Sequence, residues 1–381
     1  MFFQPAFIFP YLEQYQPLKN FALIALILFI ISKKKTKIFI LHDRINICFF
    51  MFAIFQILSS TQIWLTGAWV TLNWWLRIGI IYYLIVKSGT NLNRVISLIL
   101  VIVLSLVYLS FFSIQGYYTN YSPGLRAGGY GLYEYSNDLV IILVCAIPLV
   151  LCLSYLTKNF LIRIFFLSIA AFFSFNILLA GSRNGLLGLA IVGILSLFCM
   201  QKISGFLRII FSIILILMVI SVGVSNVLKR TDLNSSLTGD DSSENRIRQW
   251  KSGIRMLLAK PILGVGPEEF NSNAQYYGGI RGLAAHNTLI QTYAETGLIG
   301  GVFFTFFTVL PFYYAIRFLN KTRTFIEHRS LIVLKLLLVS LIGFWICAFF
   351  SNRTHFYILY VIIALIVAIK NNVILQKADV V

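Results

Sequence analysis

The chain has 381 residues, of which 59% are hydrophobic and only 12% charged, about half the charge of a soluble domain. Its apolar residues fall in long runs such as residues 95–114, VISLILVIVLSLVYLSFFSI. A soluble enzyme, a nucleic-acid-binding domain and a disordered chain are excluded, despite a net charge of +18, because most Lys and Arg sit in short connections between apolar runs.

In chain order, apolar runs bounded by polar breaks lie at about 18–32, 45–60, 74–87, 95–114, 136–156, 160–180, 185–200, 209–227, 297–316, 330–350 and 356–370. A membrane helix takes about 20 apolar residues, so the sequence predicts one all-α polytopic integral membrane domain over 1–381 with about 11 (10–12) transmembrane helices. The first run is followed by Lys33-Lys34-Lys35 rather than preceded by charge, which is not the pattern of a cleavable signal peptide. One set of alternate connections holds 17 basic residues. The short connections of the other set hold three: Arg126, Arg183 and Arg353. The positive-inside rule makes the first set cytoplasmic, with the C-terminus inside and the N-terminus outside. Cys48, Cys145, Cys152, Cys199 and Cys347 all fall within apolar runs without a C-x-x-C pair, so they read as packing or lipid-facing residues rather than a disulfide framework or metal site.

Residues 228–285 form a long connection on the outer side, with eight basic and six acidic residues. Long loops of this kind are usually functional. Asp241-Ser-Ser-Glu244 reads as a helix start and Pro261 as its stop. On that helix Arg248, Lys251 and Arg255 share one face, while Arg246, Trp250 and Leu257 line another. The first row reads as a basic interfacial face resting on anionic lipid.

Four outward features could carry chemistry: Arg126 in GLRAGGYGLYEYSND, Arg183 in LLAGSRNGLLGL, the helix 244–266, and His286 in AAHNTLIQTYAETGLIGG. Arginine is permanently charged and binds phosphate bidentately. Arg183 stands at a break between two spans, where it serves either as an anion ligand or as a residue reaching phospholipid headgroups. His286 is either a polar structural residue or a group that takes a proton from a sugar hydroxyl near pH 7. Glu295 lies nine residues on, too far round a continuous helix to act beside His286; it reads as a structural partner for an arginine. Glu134 and Asp138 are four apart, but Ser136 between them reads as a helix cap, and no metal site is expected.

These motifs resemble those of the O-antigen ligase and polymerase superfamily, bacterial inner-membrane glycosyltransferases that move glycans from undecaprenyl diphosphate. His286-Asn287, nine residues and Gly297-Leu-Ile-Gly300 are similar to the family's H-[NSQ]-x9-G-x-x-[GTY] pattern; Arg183-Asn-Gly-Leu-Leu187 to its R-x3-L motif; and Arg246-Ile-Arg-Gln-Trp250 with Pro261-Ile-Leu-Gly-Val-Gly266 to its outer helix and exit. Arg126 with Gly128 and Gly129 is similar to a weaker arginine loop. The resemblance implies a GT-C-like fold, inverting metal-independent transfer without a cofactor, and catalytic motifs on the outer face of the inner membrane. Arg183 and Arg246 would neutralise the diphosphate and His286 would orient or deprotonate the acceptor. Arg126, Asn287 and Trp250 join Arg183 and Arg246 in substrate binding. The partners implied are the lipid-linked glycan, an acceptor glycan or lipid A-core, and the bilayer, with no nucleic acid. A transporter or flippase of lipid-linked glycans is the alternative. It would spread its ionisable groups along a path through the bilayer.

Overall fold

The computed structural model describes residues 43–62, 65–120, 126–129, 131–200, scattered positions between 204 and 221, 243–321 and 328–378. Among them all regular structure is helical: α1 Arg44–Ser60, α2 Leu65–Ser88, α3 Leu92–Thr119, α4 Ser136–Leu156, α5 Phe160–Ala180, α6 Arg183–Cys199, α7 Ser243–Ala259, the single turn α8 Phe270–Asn273, α9 Thr288–Lys321, α10 His328–Ala348 and α11 Tyr357–Ala378, with short 3-10 turns at Gly131–Tyr133 and Ala274–Tyr277. Six of these (α2, α3, α4, α5, α9 and α10) contain a stretch long and apolar enough to cross a membrane, and three shorter apolar helices lie in α1, α6 and α11. The predicted run 18–32 and most of 209–227 lie outside the described residues.

The central helix is α4. Its sequence LVIILVCAIPLVLCL is apolar on every side, the pattern of a helix enclosed by others, and α5, α6 and α10 surround it. By contrast α5 keeps Phe160, Leu161, Ile164 and Phe165 exposed, as a lipid-facing helix does. Where α1, α2, α9 and α11 meet, aromatic rings interlock: Phe49 stacks on Tyr82 at 4.4 Å, and Phe307 on Tyr360 at 5.6 Å. Four of the five cysteines are buried in this packing and none is bonded to another.

Two helices begin earlier than the apolar runs predicted. α2 starts at Leu65 rather than 74, because Gly67, Thr71 and Asn73 interrupt its apolar run without breaking the helix. α9 starts at Thr288 rather than 297, as a polar first piece joined to the apolar limb through a kink at Gly297, φ 69° and ψ −172°. Ser136 is not a cap: it is already inside α4, and Tyr135 before it makes no side-chain capping bond.

The helix ends sort onto two sides. Asp43 pairs with Lys370 at 2.7 Å, Asn372 Nδ2 donates to Gly89 O at 2.8 Å, and Tyr155 Oη lies 3.2 Å from His328 Nε2. These contacts gather the start of α1, the α2–α3 turn, the end of α4, the start of α10 and the end of α11 on one side. The connections 126–135, 181–183, 243–287 and 349–356 meet on the other, as the next contacts show.

Candidate active site

Arg183 owes its place to a helix break. Gly181 takes the left-handed conformation (φ 56°) that ends α5, Ser182 returns to extended backbone, and α6 begins at Arg183. Glycine is favoured there because a Cβ disfavours positive φ. Ser182 Oγ donates to Asn137 Oδ1 at 2.9 Å rather than capping its own helix. The first turn of α6 therefore presents backbone N–H groups beside an exposed arginine, two features that favour anions. Arg126 is tied to the same break: its Nη2 donates to Gly181 O at 3.3 Å, and Ala127 N to Leu179 O. A Cβ on Gly129 would lie 2.6 Å from Tyr133 O, so that loop closes on itself only with glycine.

His286 and α7 form a second unit. His286 adopts φ 50°, uncommon for a residue with a side chain. It is held by its neighbours. Trp250 Nε1 donates to Ala285 O at 2.9 Å, Gln291 Oε1 accepts from Ala285 N at 3.2 Å, and Asn287 Oδ1 caps α9 by accepting from Ile290 N at 3.0 Å. Arg246 lies one turn before Trp250 on the same side of α7. Gln249 donates to Ile280 O and Leu283 O, both at 2.9 Å, and fixes the chain that leads into His286.

The two glycine motifs are one physical object. The turn Pro261–Gly266 crosses the kink of α9: Leu298 N donates to Pro261 O, Val265 N to Ala294 O and Gly266 N to Glu295 O. A Cβ on Gly297 would fall 2.3 Å from Ile262 O, and one on Gly264 2.4 Å from the Glu295 carbonyl carbon. Ser59 at the end of α1 donates to Glu295 O at 2.8 Å and anchors the crossing.

What joins the units is the connection 349–356. Asn184 Nδ2 lies 3.5 Å from Phe350 O, Phe349 packs edge-on to Trp250 at 6.0 Å, and Thr288 Oγ1 donates to Ser351 O while accepting from Arg353 N. Thus Arg183, Trp250 with Arg246 on its helix, and the start of α9 after His286 all border one short segment. Arg353 itself pairs with buried Asp138 and lies 5.7 Å from the Phe356 ring centroid. His355 is enclosed by Trp74 and Trp75, with Nε2 3.1 Å from Gln56 Oε1; burial pushes it down to about 4.

Several expectations change. Among the described residues Glu295 pairs with no arginine: its carboxyl accepts from Gln291 Nε2 at 2.7 Å and from the backbone of Glu268 and Phe270. His286 precedes α9 instead of lying on it, so the angle between the two on one helix does not apply. Asn287 and Trp250, expected to bind substrate, also position the His286 segment through their side chains. Arg248 and Arg255, expected on an interfacial basic face, are exposed and also bond carbonyls of their own loop, Gly278 O and Tyr277 O. Arg353 and Asp138 were missed as a site pair. The signal was present: Arg126, Arg183 and Arg353 are the three exceptions to the charge asymmetry, and all three lie on this face.

Comparison with known proteins agrees with the motifs. The O-antigen ligase family matches residues 167–305, the stretch holding Arg183, Arg246 and His286. The chain is also similar to the exopolysaccharide production protein ExoQ of Rhizobium meliloti (strain 1021), 32% identical over 106 residues, which is 25% of this chain and 23% of that protein. The match thus spans under a quarter of that relative's length.

Proposed function

With the segment 167–305 related to the O-antigen ligases, we propose that this protein is a surface-polysaccharide polymerase or ligase of the bacterial inner membrane. It transfers a glycan from undecaprenyl diphosphate to an acceptor sugar hydroxyl, with residues 228–285 outside and the C-terminus in the cytoplasm. The acceptor oxygen attacks the anomeric carbon, the bond from that carbon to the diphosphate breaks on the opposite face, and configuration inverts. His286 takes the acceptor's proton. The diphosphate leaves with its growing charge held by Arg183 and Arg246, while Arg126 lines the entry. Cations preorganised where charge develops are the largest lever available to such a site. The observation that carries this reading is the shared border: three separate motifs abut the connection 349–356 at one end of the helices. A transporter would need such groups along its path.

Arg183→Ala, Arg246→Ala and His286→Ala are each expected to lower transfer by about 10²–10³ or more while the protein still reaches the membrane. Lys at either arginine should rescue poorly, since it lacks the bidentate fork. Purified enzyme should work in excess EDTA; activity lost there and restored by Mg²⁺ would refute the arginine mechanism. Between acceptors the reading favours a polymerase, because the 228–285 loop nets only +2 and carries Gln275-Tyr-Tyr-Gly-Gly279, suited to uncharged sugars. Gene deletion separates the two: a polymerase mutant leaves single repeats on the acceptor, a ligase mutant leaves it bare.

A further inference from the structure

Three rows of side chains run along α7 on the sides not buried against α9. Arg246, Trp250 and Leu257 border the site. Next, at 3.6 residues per turn, come Ile247, Ile254 and Leu258, which are 49%, 52% and 74% exposed. Beyond them lie Arg248, Lys251 and Arg255, all exposed. An exposed apolar row beside an exposed basic one is unusual for a helix meant to sit in water.

The outer basic row is built into a pocket. Arg248 Nε donates to Gly278 O at 2.8 Å and Arg255 Nη1 to Tyr277 O at 3.1 Å, so each guanidinium is oriented before any ligand arrives. Gly278 sits at φ 81°, and a Cβ there would lie 2.4 Å from Arg255 Nη1. Glu244, Ile247, Arg248, Lys251, Arg255 and Gly278 line a cavity of about 310 Å³. Three cations against one carboxylate make it an anion pocket. Its apolar border continues in sequence toward the apolar limb of α9: Ile262, 64% exposed, follows in the turn after α7, and Leu298, 54% exposed, is bonded to that turn. Leu298 N donates to Pro261 O at 2.7 Å, and it opens the apolar limb of α9.

We propose that this pocket seats the phosphate of an anionic glycerophospholipid, with Ile254, Leu258 and Ile262 in the acyl layer, and that α7 is thereby held at the bilayer surface. Glu244 accepts from a headgroup hydroxyl. The apolar row decides for a lipid over a dissolved anionic sugar, which gains nothing from exposed Ile and Leu beside its charge. The inference stands apart from the transfer reaction, to which none of the pocket's charged residues is assigned; only Gly278, which lends its carbonyl to Arg248, belongs to the stretch read as suited to sugars.

The test uses the full-length protein and Lys251→Gln, an exposed position whose change leaves helix packing intact. Native mass spectrometry from mixed micelles should show phosphatidylglycerol retained over phosphatidylcholine. Lys251→Gln should weaken that retention about fivefold, the fold-change for about 1 kcal/mol per basic residue at an anionic surface. Equal retention of the two lipids, or no change in the variant, overturns the proposal. A spin label at Leu258→Cys in phosphatidylglycerol nanodiscs should be reached by oxygen; a label reached instead by aqueous nickel puts the row in water and overturns it too. So does Lys251-dependent slowing of hydrogen exchange in α7 by an acidic oligosaccharide, which would assign the pocket to glycan.

Discussion

The two ends of the helices are built by different rules. At the end holding Asp43, Gly89 and Lys370, helices start on side-chain caps: Asp43 accepts from Ile45 N, Asn91 from Arg94 N, and Asn159 from Leu161 N and Ile162 N. At the other end, α4 and α6 begin with no side-chain cap bond and only α9 is shown with one, from Asn287, and every described residue with positive φ is found there: Gly131, Gly181, Gly264, Gly266, Glu268, Gly278, Gly282, His286 and Gly297. One end favours stability. The other accepts left-handed backbone, at a cost of order 1–3 kcal/mol where the residue is not glycine, and there the segments that carry Arg183, Arg246 and His286 meet one connection.

Glycine replacements test this contrast most severely. Gly297→Ala places a Cβ 2.3 Å from Ile262 O in a backbone region nearly closed to other residues, so a loss of about 3 kcal/mol or more is expected. The crossing of Pro261–Gly266 over α9 should come apart, seen as lost folded protein and faster hydrogen exchange over 261–298. Gly79→Ala on α2 meets nothing within 4 Å and should be neutral or slightly stabilising by helix propensity. Equal effects would erase the distinction between the ends. Next in size is Asp138→Asn. It strips Arg353 of a buried counter-ion, a change that costs about 3–5 kcal/mol for a fully buried pair. Less is expected here, because the Arg353 side chain is 24% exposed. Thermal unfolding in detergent should fall, and the double variant Asp138→Asn, Arg353→Gln should recover part of the loss.

How much of this was legible in the sequence follows the same division. The apolar helices were read closely from hydropathy: α4 and α5 match the predicted 136–156 and 160–180, because burial and lipid exposure both demand unbroken apolar sequence. Arg183, Arg246 and His286 stand out in the sequence through motifs that resemble a family's, and the helices and turns that carry them border one connection. The hub at 349–356 does not stand out. Phe349, Phe350 and Ser351 act through packing and backbone carbonyls, which leave no residue signature. Glu295 was legible only in part: Gln291, four residues before it, is a partner the helix spacing places beside it, whereas its other donors are the backbone N–H groups of Glu268 and Phe270, which are silent in sequence.

Trp250→Phe sharpens the comparison on the site side with a smaller effect. It keeps the ring beside Phe349 and removes the indole donor to Ala285 O. A neutral hydrogen bond contributes about 1 kcal/mol, so transfer should drop about fivefold with the protein still stable. If Trp250 instead stacked on sugar as its main task, Phe would retain much of the rate and Trp250→Leu would lose far more; the ratio of the two variants decides between these roles.

The last expected effect, spread over a range of acidity, is a pH dependence at His355. Its ring is wedged between Trp74 and Trp75 and its Nε2 donates to Gln56 Oε1, and burial lowers it from 6.5 to about 4. The folded protein thus holds His355 neutral where the unfolded chain would take up a proton. A lowered histidine value means no penalty above pH 6.5, a stability that falls as pH drops from 6.5 toward 4, and no further fall from this group below that. Wild-type melting temperature should therefore decline across this window, and His355→Gln, which can keep the bond to Gln56 but cannot titrate, should show a shallower decline. An identical slope in the two proteins would mean that His355 takes up its proton in the fold as readily as in the unfolded chain, and that its enclosure by Trp74 and Trp75 does not hold it neutral.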